Sequence, residues 1–459
     1  MTNKDELSSE MVMNMPAKAM SLAPRICVFG CALQTENLGV DALGTSILKG
    51  IHMAFPEARI TMQDWSGCTQ GSVQTQAGEI DYECLPVFRA ESLRRRNGTA
   101  HLEAVAPWFG RMPRALARLL AGYNPTLKKL LQTDVVLDIS AGDSFADIYG
   151  IGGFHGQALY KEVVLALGVP LILMPQTYGP FENATSIQRA RHILSRSTMI
   201  ASREEHGLED IEHLCGSDHP PVVRCPDVAF LLDPMPIPEN DEPFLKRRDE
   251  HERLIGLNIS GLLCSDQKDF GFRVSYVELI RRIVHWAMRQ SNTRLLLVPH
   301  VIDKGVARRS DGKSEMHDTA SCRNFYQEFS SKYGNRIGCL GGPYLASQTK
   351  YAVGCCDFFI GARMHSCIAG VSQAVPTVTL AYSKKALGLM KQLGVPETVV
   401  DMRSLDEAEC VEQIDANYQN RQAINDHLSQ RLPQFIGEVE RFFTQDIAGV
   451  VRRVVGASG

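Results

Sequence analysis

The run Arg25-Ile-Cys-Val-Phe-Gly30, followed by a helical pattern from about Asp41 to Met53, sets the fold class of this 459-residue chain. A short apolar run that leads through a polar turn into a helix is typical of the first unit of a parallel sheet. Similar apolar runs recur between helical patterns in the first half, at 59–63, 134–139, 170–174, 198–201 and 222–224. This alternation predicts an α/β domain built on a doubly wound parallel sheet.

A proline-rich acidic segment interrupts the alternation at 232–243, where four prolines and four acidic residues occur together. This composition is typical of a connection between domains. The alternation then resumes, with apolar runs at 254–259, 294–298, 336–339, 358–360 and 377–380, and helical patterns at 276–289, 321–332, 366–373 and 415–443. We therefore predict two doubly wound, Rossmann-like α/β domains that face each other across a cleft.

The predicted organisation of the chain has four parts. Residues 1–24 form a flexible leader, and an N-terminal α/β domain over 25–235 carries a basic insertion at about 86–130. A linker over 236–252 leads to a C-terminal α/β domain over 253–459, which a C-terminal helix closes.

Composition and charge exclude several classes of protein. The formal net charge is −4, with 44% hydrophobic and 22% charged residues, which is ordinary for a globular enzyme and argues against a nucleic-acid partner. The sequence holds neither an apolar window long enough to span a bilayer nor a signal peptide, so we expect a cytoplasmic protein. The thirteen cysteines include no Cys-x-x-Cys pair, so we expect reduced thiols and no metal site.

The segment from Arg89 to Lys129 departs from the mild negative charge of the chain, since nine basic residues stand against two acidic ones. Apolar residues are interleaved with these charges, namely Trp108, Phe109, Leu116, Leu119 and Leu120. One interpretation is a basic amphipathic surface that lies on the inner face of a membrane or grips an acidic polymer. The other is a solvated insertion that packs its apolar side on the first domain.

Two polar loops follow predicted strands of the first domain, at the edge where doubly wound sheets bind ligands. In Glu36-Asn-Leu-Gly39, we expect Asn37 and Gly39 to allow a tight turn at the start of the first helix, which Asn37 or Asp41 caps. In Asp138-Ile-Ser-Ala-Gly-Asp-Ser144, small residues let the backbone approach a ligand. Asp143 is a candidate base for a sugar hydroxyl, and the alternative is a capping or hinge role.

Two further strand ends of the first domain carry candidate binding residues. Gln176 follows the run at 170–174 and offers hydrogen bonds through its amide. Arg203 follows the run at 198–201, where its guanidinium suits a carboxylate or phosphate of a ligand. The alternative for Arg203 is a salt bridge within the protein.

The strongest functional pattern lies in the second half. Gly361-Ala-Arg-Met-His365 follows a strand and starts a helix, and Tyr382-Ser-Lys-Lys385 follows the next strand. The two motifs are expected at one sheet edge, where their cations and a histidine that titrates near neutrality suit a small, highly anionic substrate and an acid catalyst. The alternative is that Arg363 and His365 only satisfy strand-end carbonyl groups.

The sequence resembles the polysaccharide pyruvyl transferases over roughly 25–394. The resemblance rests on Asn37-Leu-Gly39, the loop around Gly142, Gln176-Thr-Tyr-Gly-Pro180, Ser202-Arg203, Pro226-Asp-Val-Ala-Phe230, Pro299-His300, Gly361-Ala-Arg-Met-His365 and Tyr382-Ser-Lys-Lys385. It implies a GT-B-like fold and the transfer of the pyruvyl unit of phosphoenolpyruvate to a sugar, with a ketal and phosphate as products. Many relatives have a Gly-Gly-Gly loop where this chain has Ser140-Ala-Gly-Asp143, and an acidic residue near Gln348-Thr-Lys350.

The resemblance implies roles for individual residues. Phosphoenolpyruvate is the donor substrate, with no further cofactor and no metal, and the acceptor is a sugar or a lipid-linked oligosaccharide. His365 is expected to protonate the donor, and Asp143 to deprotonate the acceptor. The residues expected to bind substrate are Arg203, Arg363, Lys385, Lys384, Tyr382, Asn37, Gly39, Ser144 and Gln176.

Two other functions remain open from the sequence. A glycosyltransferase of the same fold would bind a nucleotide sugar through loops such as Pro299-His300 and Gly341-Gly342. A non-catalytic scaffold protein for glycan export would have no need of an acid beside several cations. The oligomeric state does not follow from the sequence.

Overall fold

The structure is a computed structural model with two sheets, one parallel throughout and one parallel except for an edge strand, and helices cover both faces of each. It describes residues 23–64, 68–87, 97–148, 150–247, 249–265, 270–303, 317–383 and 385–457, with only the backbone of Asp64 and Lys385. The predicted leader therefore lies almost wholly outside the described residues, as do Lys384 and the arginines at 89 and 94–96. Within the described part, no helix combines the length and apolar character needed to cross a membrane.

The N-terminal sheet has its described strands in the order β3-β4-β2-β1-β5-β6-β7-β8. The bounds are β1 Arg25–Phe29, β2 Arg59–Asp64, β3 Gln70–Thr75, β4 Gly78–Pro86, β5 Val135–Asp138, β6 Leu171–Gln176, β7 Met199–Ser202 and β8 Val222–Arg224. β1 lies in the middle, where Ile26 pairs with Ile60 of β2 and Val135 of β5. All neighbours are parallel except β3, which runs antiparallel to β4 at the edge.

The helices of this half include three short ones, α2 to α4, in the part of the basic segment that the structure describes. The bounds are α1 Leu38–Ala54, α2 Thr99–Gly110, α3 Arg114–Leu120, α4 Pro125–Gln132, α5 Ile151–Ala166, α6 Ala184–Arg196 and α7 His206–Cys215, with 3-10 turns at Ala121–Tyr123, Ser140–Gly142, Val228–Leu231 and Pro243–Leu245. Leu102, Phe109 and Leu127 of the basic segment are buried in one core with β5 and β6. From residue 97 onward the segment is therefore a packed helical insertion.

The C-terminal sheet follows the order β11-β10-β9-β12-β13-β14, and all neighbours are parallel. The strands are β9 Arg253–Leu257, β10 Thr293–Leu297, β11 Ile337–Cys339, β12 Phe358–Gly361, β13 Thr377–Ala381 and β14 Val399–Asp401. The helices are α8 Gly261–Cys264, α9 Tyr276–Arg289, α10 Asp318–Tyr333, α11 Ala346–Gly354, α12 Met364–Val371, α13 Lys385–Leu393, α14 Glu407–Gln419, α15 Arg421–Arg441 and α16 Ala448–Gly456, with 3-10 turns at Gly334–Arg336 and Pro396–Thr398. The predicted α/β fold class is confirmed.

Local sequence explains the elements that were predicted and those that were missed. In α9, apolar residues at i, i+4 and i+7 such as Ile280, Val284 and Ala287 form one buried face, and Ser275 caps the first turn. By contrast, β3 has a polar composition, and only the last of its six residues is fully buried. β3 forms because it pairs with β4, and local sequence patterns do not predict such pairing.

The hairpin β3–β4 also corrects the expectation that all the cysteines are reduced. Cys68 and Cys84 form a disulfide, with their Cα atoms 6.0 Å apart. The antiparallel pairing of β3 and β4 brings the two residues together, although they are 16 positions apart in the chain. The sequence contains no spacing motif that would identify this pair.

The end of the chain returns to the N-terminal sheet. The predicted single helix over 415–443 is two helices, α14 and α15, which meet at Asn420, and a π-helical turn over Phe442–Ile447 then leads into α16. Phe443 is fully buried in the same core as β1 and β5. A Cβ at Gly50 of α1 would lie 2.5 Å from the Phe443 ring, so only glycine admits this packing. The strap formed by α15 and α16 thus connects the C-terminal half of the chain to the N-terminal sheet.

A second junction between the two halves lies at the carboxyl edges of the sheets. Asn37 and Val301 form an isolated antiparallel bridge. The N–H of Leu38 donates to the carbonyl of His300 at 3.1 Å, and the N–H of Ile302 donates to the carbonyl of Glu36 at 2.7 Å. These backbone bonds hold the two loop edges face to face.

A third junction contains a buried lysine. Lys350 on α11 donates its Nζ to the carbonyl of Leu232 at 2.7 Å, next to the ion pair of Lys49 and Asp233. Burial lowers the pKa of Lys350 to about 7, while Asp233 acts to raise it and Lys49 to lower it further. The folded protein therefore releases this proton near neutrality, whereas the unfolded chain keeps it.

We expect Lys350→Met to change how stability depends on pH. Above pH 7 the folded parent has lost the Lys350 proton and the unfolded chain binds it, so this group makes the free energy of unfolding rise with pH. The rise is about 1.4 kcal/mol per pH unit up to the pKa of an ordinary lysine. Urea titrations between pH 7.5 and 9.5 measure the free energy of unfolding of parent and variant. The value for the parent minus the value for the variant should increase with pH. The exposed Lys332→Met serves as the control, and a pH-independent difference for Lys350→Met contradicts the argument.

Candidate functional site

The facing sheet edges enclose a cavity of about 280 Å³, called the small cavity below. Both halves of the chain line it, and most of the lining residues follow β strands. The N-terminal half contributes Asn37, Val40, Ala141, Asp143 and Arg203, and the C-terminal half contributes Leu262, Phe270, His300, Val301, Ala362, Arg363, Met364, His365, Thr379, Leu380, Ala381, Tyr382, Ser383 and Ala386. The structure therefore brings together Asn37, Asp143, Arg203, Arg363, His365 and Tyr382, all of which were predicted from the sequence.

The start of α1 lies directly against His365. Asn37 caps the helix, because its Oδ1 accepts the N–H of Gly39 at 3.0 Å. A Cβ at Gly39 would lie 2.6 Å from Nδ1 of His365, so glycine is required for this close approach. The turn predicted for Gly39 is therefore not its function: its backbone is helical, and its lack of a side chain admits the imidazole.

The loop after β5 has a strained backbone. Ser140, Ala141 and Gly142 have φ values of 44°, 51° and 87°, in the left-handed region that favours glycine. A fully buried lysine supports this loop: Nζ of Lys161 lies 2.9 Å from Asp138 Oδ1 and donates to Ser140 Oγ at 2.7 Å. The loop thereby places Ala141 and Asp143 in the wall of the small cavity.

Two residues predicted to bind substrate instead support the loop. Gln176 is fully buried and donates its amide N–H to the carbonyl of Asp138 at 3.0 Å. Ser144 is half-buried, and its N–H donates to the carbonyl of Ser140 at 2.9 Å. Neither belongs to the described lining of the small cavity.

Arg203 is both a cavity residue and a partner in a buried ion pair. Its Nη1 donates to Asp227 Oδ2 at 2.5 Å, and its Nε and Nη2 donate to Thr177 Oγ1 at 3.3 and 3.1 Å. Asp227 is itself held in place, because its Oδ1 accepts the N–H of Ala229 at 2.9 Å. The guanidinium is therefore fixed before any ligand binds.

Arg363, in the C-terminal domain, also has a carboxylate partner, which is Asp318 of the same domain. Its Nη2 donates to Asp318 Oδ1 at 2.8 Å, and its Nε lies 3.3 Å from both carboxylate oxygens. The N–H of Arg363 donates to Asn258 Oδ1 at 3.0 Å, which anchors the start of α12. Among the described residues, these side-chain bonds leave Nη1 of Arg363 for a ligand oxygen.

Two histidines in the small cavity have buried ring nitrogens without a hydrogen-bond partner in the described part of the chain. They are Nε2 of His365 and both ring nitrogens of His300. His365 Nε2 lies 3.8 Å from Asp227 Oδ2, too far for a hydrogen bond. These ring nitrogens can accept a hydrogen bond from a ligand or donate one to it, and burial makes such a bond favourable.

The electrostatics of the cavity keep both imidazoles neutral in the free protein. Burial lowers the pKa of His365, while Asp227 acts to raise it and Arg203 to lower it. Burial first, and then the neighbouring His365 and Arg363, hold the pKa of His300 well below its ordinary value. An anionic ligand in the cavity would raise both pKa values and favour uptake of a proton.

The structure accounts for part of the predicted cationic cluster. Each arginine is paired with its own buried carboxylate, Asp227 or Asp318, and the sequence analysis predicted neither pairing. Tyr382 lines the small cavity, and burial raises the pKa of its hydroxyl. Lys384 and the side chain of Lys385 lie outside the described residues, so their predicted roles stay predictions.

Sequence reasoning gave no catalytic role to His300, Asp227, Asp318 or Asn258. His300 and Asp227 lie in motifs, Pro299-His300 and Pro226-Asp227, that follow strands and therefore offered a signal. Asp318 and Asn258 offered none, since each acts only through contacts with residues distant in the chain.

A second cavity of about 1440 Å³, called the large groove, adjoins the small cavity. Ala381 and Ser383 line both. The large groove runs between the 177–181 and 204–214 segments of one half and the 387–403 segment of the other. Its charged lining includes both signs, with Glu204, Asp210 and Asp401 beside Arg191 and Arg403.

Solved structures share this architecture. The chain is similar to α,α-trehalose 6-phosphate synthase from Burkholderia multivorans, with a TM-score of 0.53 and 11% identity over 95% of this chain and 98% of that one. It is also similar to sucrose-phosphate synthase from Thermosynechococcus elongatus, with a TM-score of 0.51 and 11% identity over 95% and 100% of the two chains. At these identities the likeness concerns the fold alone, and the predicted GT-B-like fold is confirmed.

Sequence comparison carries the assignment further. The amylovoran biosynthesis protein AmsJ of Erwinia amylovora is 23% identical over 333 residues, which cover 72% of this chain and 74% of that protein. A sequence model of the polysaccharide pyruvyl transferases matches residues 37–384, which include every lining residue of the small cavity except Ala386. The chain therefore belongs to the polysaccharide pyruvyl transferase family.

Proposed function

We propose that this protein transfers the pyruvyl group of phosphoenolpyruvate to two hydroxyls of a sugar in a polysaccharide precursor, forming a ketal and releasing phosphate. Family membership supports a transferase in polysaccharide biosynthesis. The observation that carries the finer proposal is the small cavity itself. Two fixed guanidinium groups and two histidines with unpartnered ring nitrogens converge there, which suits a small substrate with several negative charges.

Donor binding is assigned to the two arginines and His300. Asp227 and Asp318 hold the guanidinium groups of Arg203 and Arg363 in place, so little side-chain entropy is lost when a carboxylate and a phosphate bind them. His300 stays neutral in the free protein and offers a further hydrogen bond. The predicted contribution of Lys385 belongs to the same proposal.

His365 is proposed as the acid. The dianionic phosphate and the carboxylate of the donor raise the pKa of the neighbouring imidazole, which then takes up a proton. Transfer of that proton to the terminal methylene of phosphoenolpyruvate makes a methyl group and leaves the adjacent carbon electrophilic. General acid catalysis of this kind typically contributes about 100- to 10,000-fold.

The acceptor completes the balance of atoms. One sugar hydroxyl attacks the electrophilic carbon and forms a C–O bond, while Asp143 accepts its proton. The C–O bond to phosphate breaks, and a second hydroxyl closes the ketal. Of the two hydroxyl protons, one restores the proton that His365 gave and the other leaves with phosphate. This scheme uses only side chains and the two substrates.

The acceptor sugar is proposed to enter through the large groove. The groove is several times larger than the small cavity and meets it at Ala381 and Ser383. It therefore has room for several sugar units while one of them reaches the donor. Its paired charges and half-exposed polar groups suit hydroxyl recognition.

We expect His365→Gln to lower the rate of phosphate release from phosphoenolpyruvate and acceptor by about 100- to 10,000-fold. The glutamine amide retains a hydrogen bond but cannot supply the proton, so protection of the protein by phosphoenolpyruvate against thermal unfolding should change little. In the parent, kcat/KM should fall as pH rises through the pKa of His365, which burial holds below its ordinary value. The corresponding fall in kcat should occur at higher pH, because the bound anion raises the pKa of His365.

The matched control for this experiment is His192→Gln, since His192 is exposed on α6. Phosphate release by His365→Gln at the parent rate would remove the acid role. Protection of the parent by a uridine or guanosine sugar, and not by phosphoenolpyruvate, would favour a glycosyltransferase.

We expect Arg363→Lys to raise KM for phosphoenolpyruvate by about 10- to 100-fold with a smaller change in kcat. Lysine keeps the charge but cannot bond Asp318 through two nitrogens while offering a third to the donor. Asp318 keeps backbone donors in the variant, so the fold should persist. Steady-state phosphate release measures both constants. Arg403→Lys, in the large groove, is the control, and an unchanged KM in Arg363→Lys would contradict donor binding by Arg363.

We expect Gly388→Phe to weaken acceptor binding at least tenfold and leave donor binding unchanged. Gly388 on α13 lines the large groove, and a Cβ there would meet nothing within 4 Å, so an aromatic ring would fill open space. KM for the acceptor and protection by phosphoenolpyruvate are the two measurements. Gly388→Ala is the matched control and should bind acceptor like the parent. Equal acceptor KM in all three proteins would show that the acceptor does not use the large groove.

A further inference from the structure

The helical insertion of residues 97–132, which contains α2, α3 and α4, exposes an unusual amount of apolar surface. Of the ten exposed large hydrophobic residues in the described chain, five lie in one 16-residue stretch of this insertion: Trp108, Leu116, Leu119, Leu120 and Tyr123. The exposed fractions reach 66% for Trp108 and 77% for Leu119. Single exposed apolar residues are common, but a cluster of this kind marks an interaction surface.

Helix α3 buries its small residue and exposes its large ones. Within Arg114–Leu120, Ala117 is the buried residue, whereas Leu116, Leu119 and Leu120 face outward. A solvent-exposed helix normally has the opposite arrangement, because burying leucine is far more favourable than burying alanine. The leucines of α3 are therefore not required for the core of the domain.

The opposite side of the insertion holds it firmly to the domain. Leu102, Phe109, Leu127 and Leu130 are buried in the core that contains β5 and β6. Asn124 caps α4, and Thr126 donates to the carbonyl of Pro86 at 2.8 Å. The exposed leucines are thus presented on a rigid support.

The charge around this apolar surface has one dominant sign. Residues 97–132 contain five basic residues, Arg111, Arg114, Arg118, Lys128 and Lys129, against the single acid Glu103. Arg111 and Lys128 are exposed, while Lys129 forms an ion pair with Glu83. An apolar surface with a cationic border in a chain of net charge −4 is complementary to an anionic partner.

We propose that the helical insertion docks this protein on an anionic lipid bilayer. The leucines of α3 and Trp108 enter the boundary between headgroups and acyl chains, and Arg111 and Lys128 contact the lipid phosphates. The excess of basic residues beside the exposed leucines favours an anionic lipid surface as the partner. The sequence analysis expects a cytoplasmic protein, and the cytoplasmic face of a membrane carries such anionic lipids.

The position of the insertion links docking to the active site. Helix α2 packs against α5, and α5 follows the loop that carries Asp143. A docked insertion therefore fixes the cleft at a set distance from the bilayer, where a lipid-linked acceptor would lie. This consequence rests on the proposed function, whereas docking itself does not.

Sedimentation with vesicles tests the proposal on the full chain. The parent should pellet with vesicles of phosphatidylcholine that contain about one third phosphatidylglycerol, and not with phosphatidylcholine alone. Leu116→Ser/Leu119→Ser should lower the bound-to-free ratio at least tenfold through the loss of apolar contact, and Arg111→Glu/Lys128→Glu should do so through charge. Salt at about 0.5 M should weaken binding of the parent.

Matched controls and a spectroscopic signal make the test specific. Leu208→Ser/Leu345→Ser removes two exposed leucines elsewhere on the described surface and should bind like the parent. Vesicles should shift the fluorescence of Trp108 to the blue, and Trp108→Phe should remove the shift. Phosphate release with a water-soluble acceptor should be the same in the parent and in the variants of the insertion, which separates failed docking from failed catalysis.

Two outcomes would overturn the proposal. Equal pelleting of the parent, the insertion variants and the leucine control would show that the insertion is not the lipid contact. Self-association of the parent in analytical ultracentrifugation, lost in Leu116→Ser/Leu119→Ser and without binding to vesicles, would assign the surface to a second copy of the chain.

Discussion

The site depends on the hydrogen bonds that the carboxylate of Asp318 accepts. It is fully buried, and it accepts hydrogen bonds from the guanidinium of Arg363 and from three backbone N–H groups, those of Gly261, His300 and Val301. One side chain thus fixes a cation of the small cavity and the loop that carries His300. The same loop bonds to the start of α1, so the contact between the domains depends on it too. Breaking a buried ion pair of this kind typically costs about 3–5 kcal/mol.

The site is built from paired charges. Arg203 and Arg363 each have a buried carboxylate, so among the described residues the charges of both guanidinium groups are balanced before a ligand binds. This arrangement holds the guanidinium groups in place, and burial lowers the pKa values of the two histidines. In the proposed mechanism, a trianionic donor changes this balance and draws a proton to His365. Preorganised cations and a substrate-induced acid would then be two consequences of one electrostatic arrangement.

Backbone conformation makes the loop after β5 costly to form. The loop runs through Ser140, Ala141 and Gly142, of which only the last is glycine. All three positions have positive φ, which glycine adopts at little cost and other residues adopt with strain. The buried pair of Lys161 and Asp138 holds the strained loop through the Ser140 hydroxyl. With this polar support the loop places Asp143 in the wall of the small cavity.

The sequence by itself determined the two parallel sheets, the edge at which the site lies, and the motif that carries Arg363 and His365. These follow from local patterns, since apolar runs, helical periodicity and the polar residues after each strand are written in adjacent positions. Only the tertiary structure decided which carboxylates accompany the arginines, that Gln176 supports a loop instead of binding substrate, and that α15 and α16 pack on the first sheet. It also showed that β3 forms by pairing and that Cys68 bonds to Cys84. Each of these depends on contacts between residues far apart in the chain, whose geometry exists only after both sheets have formed.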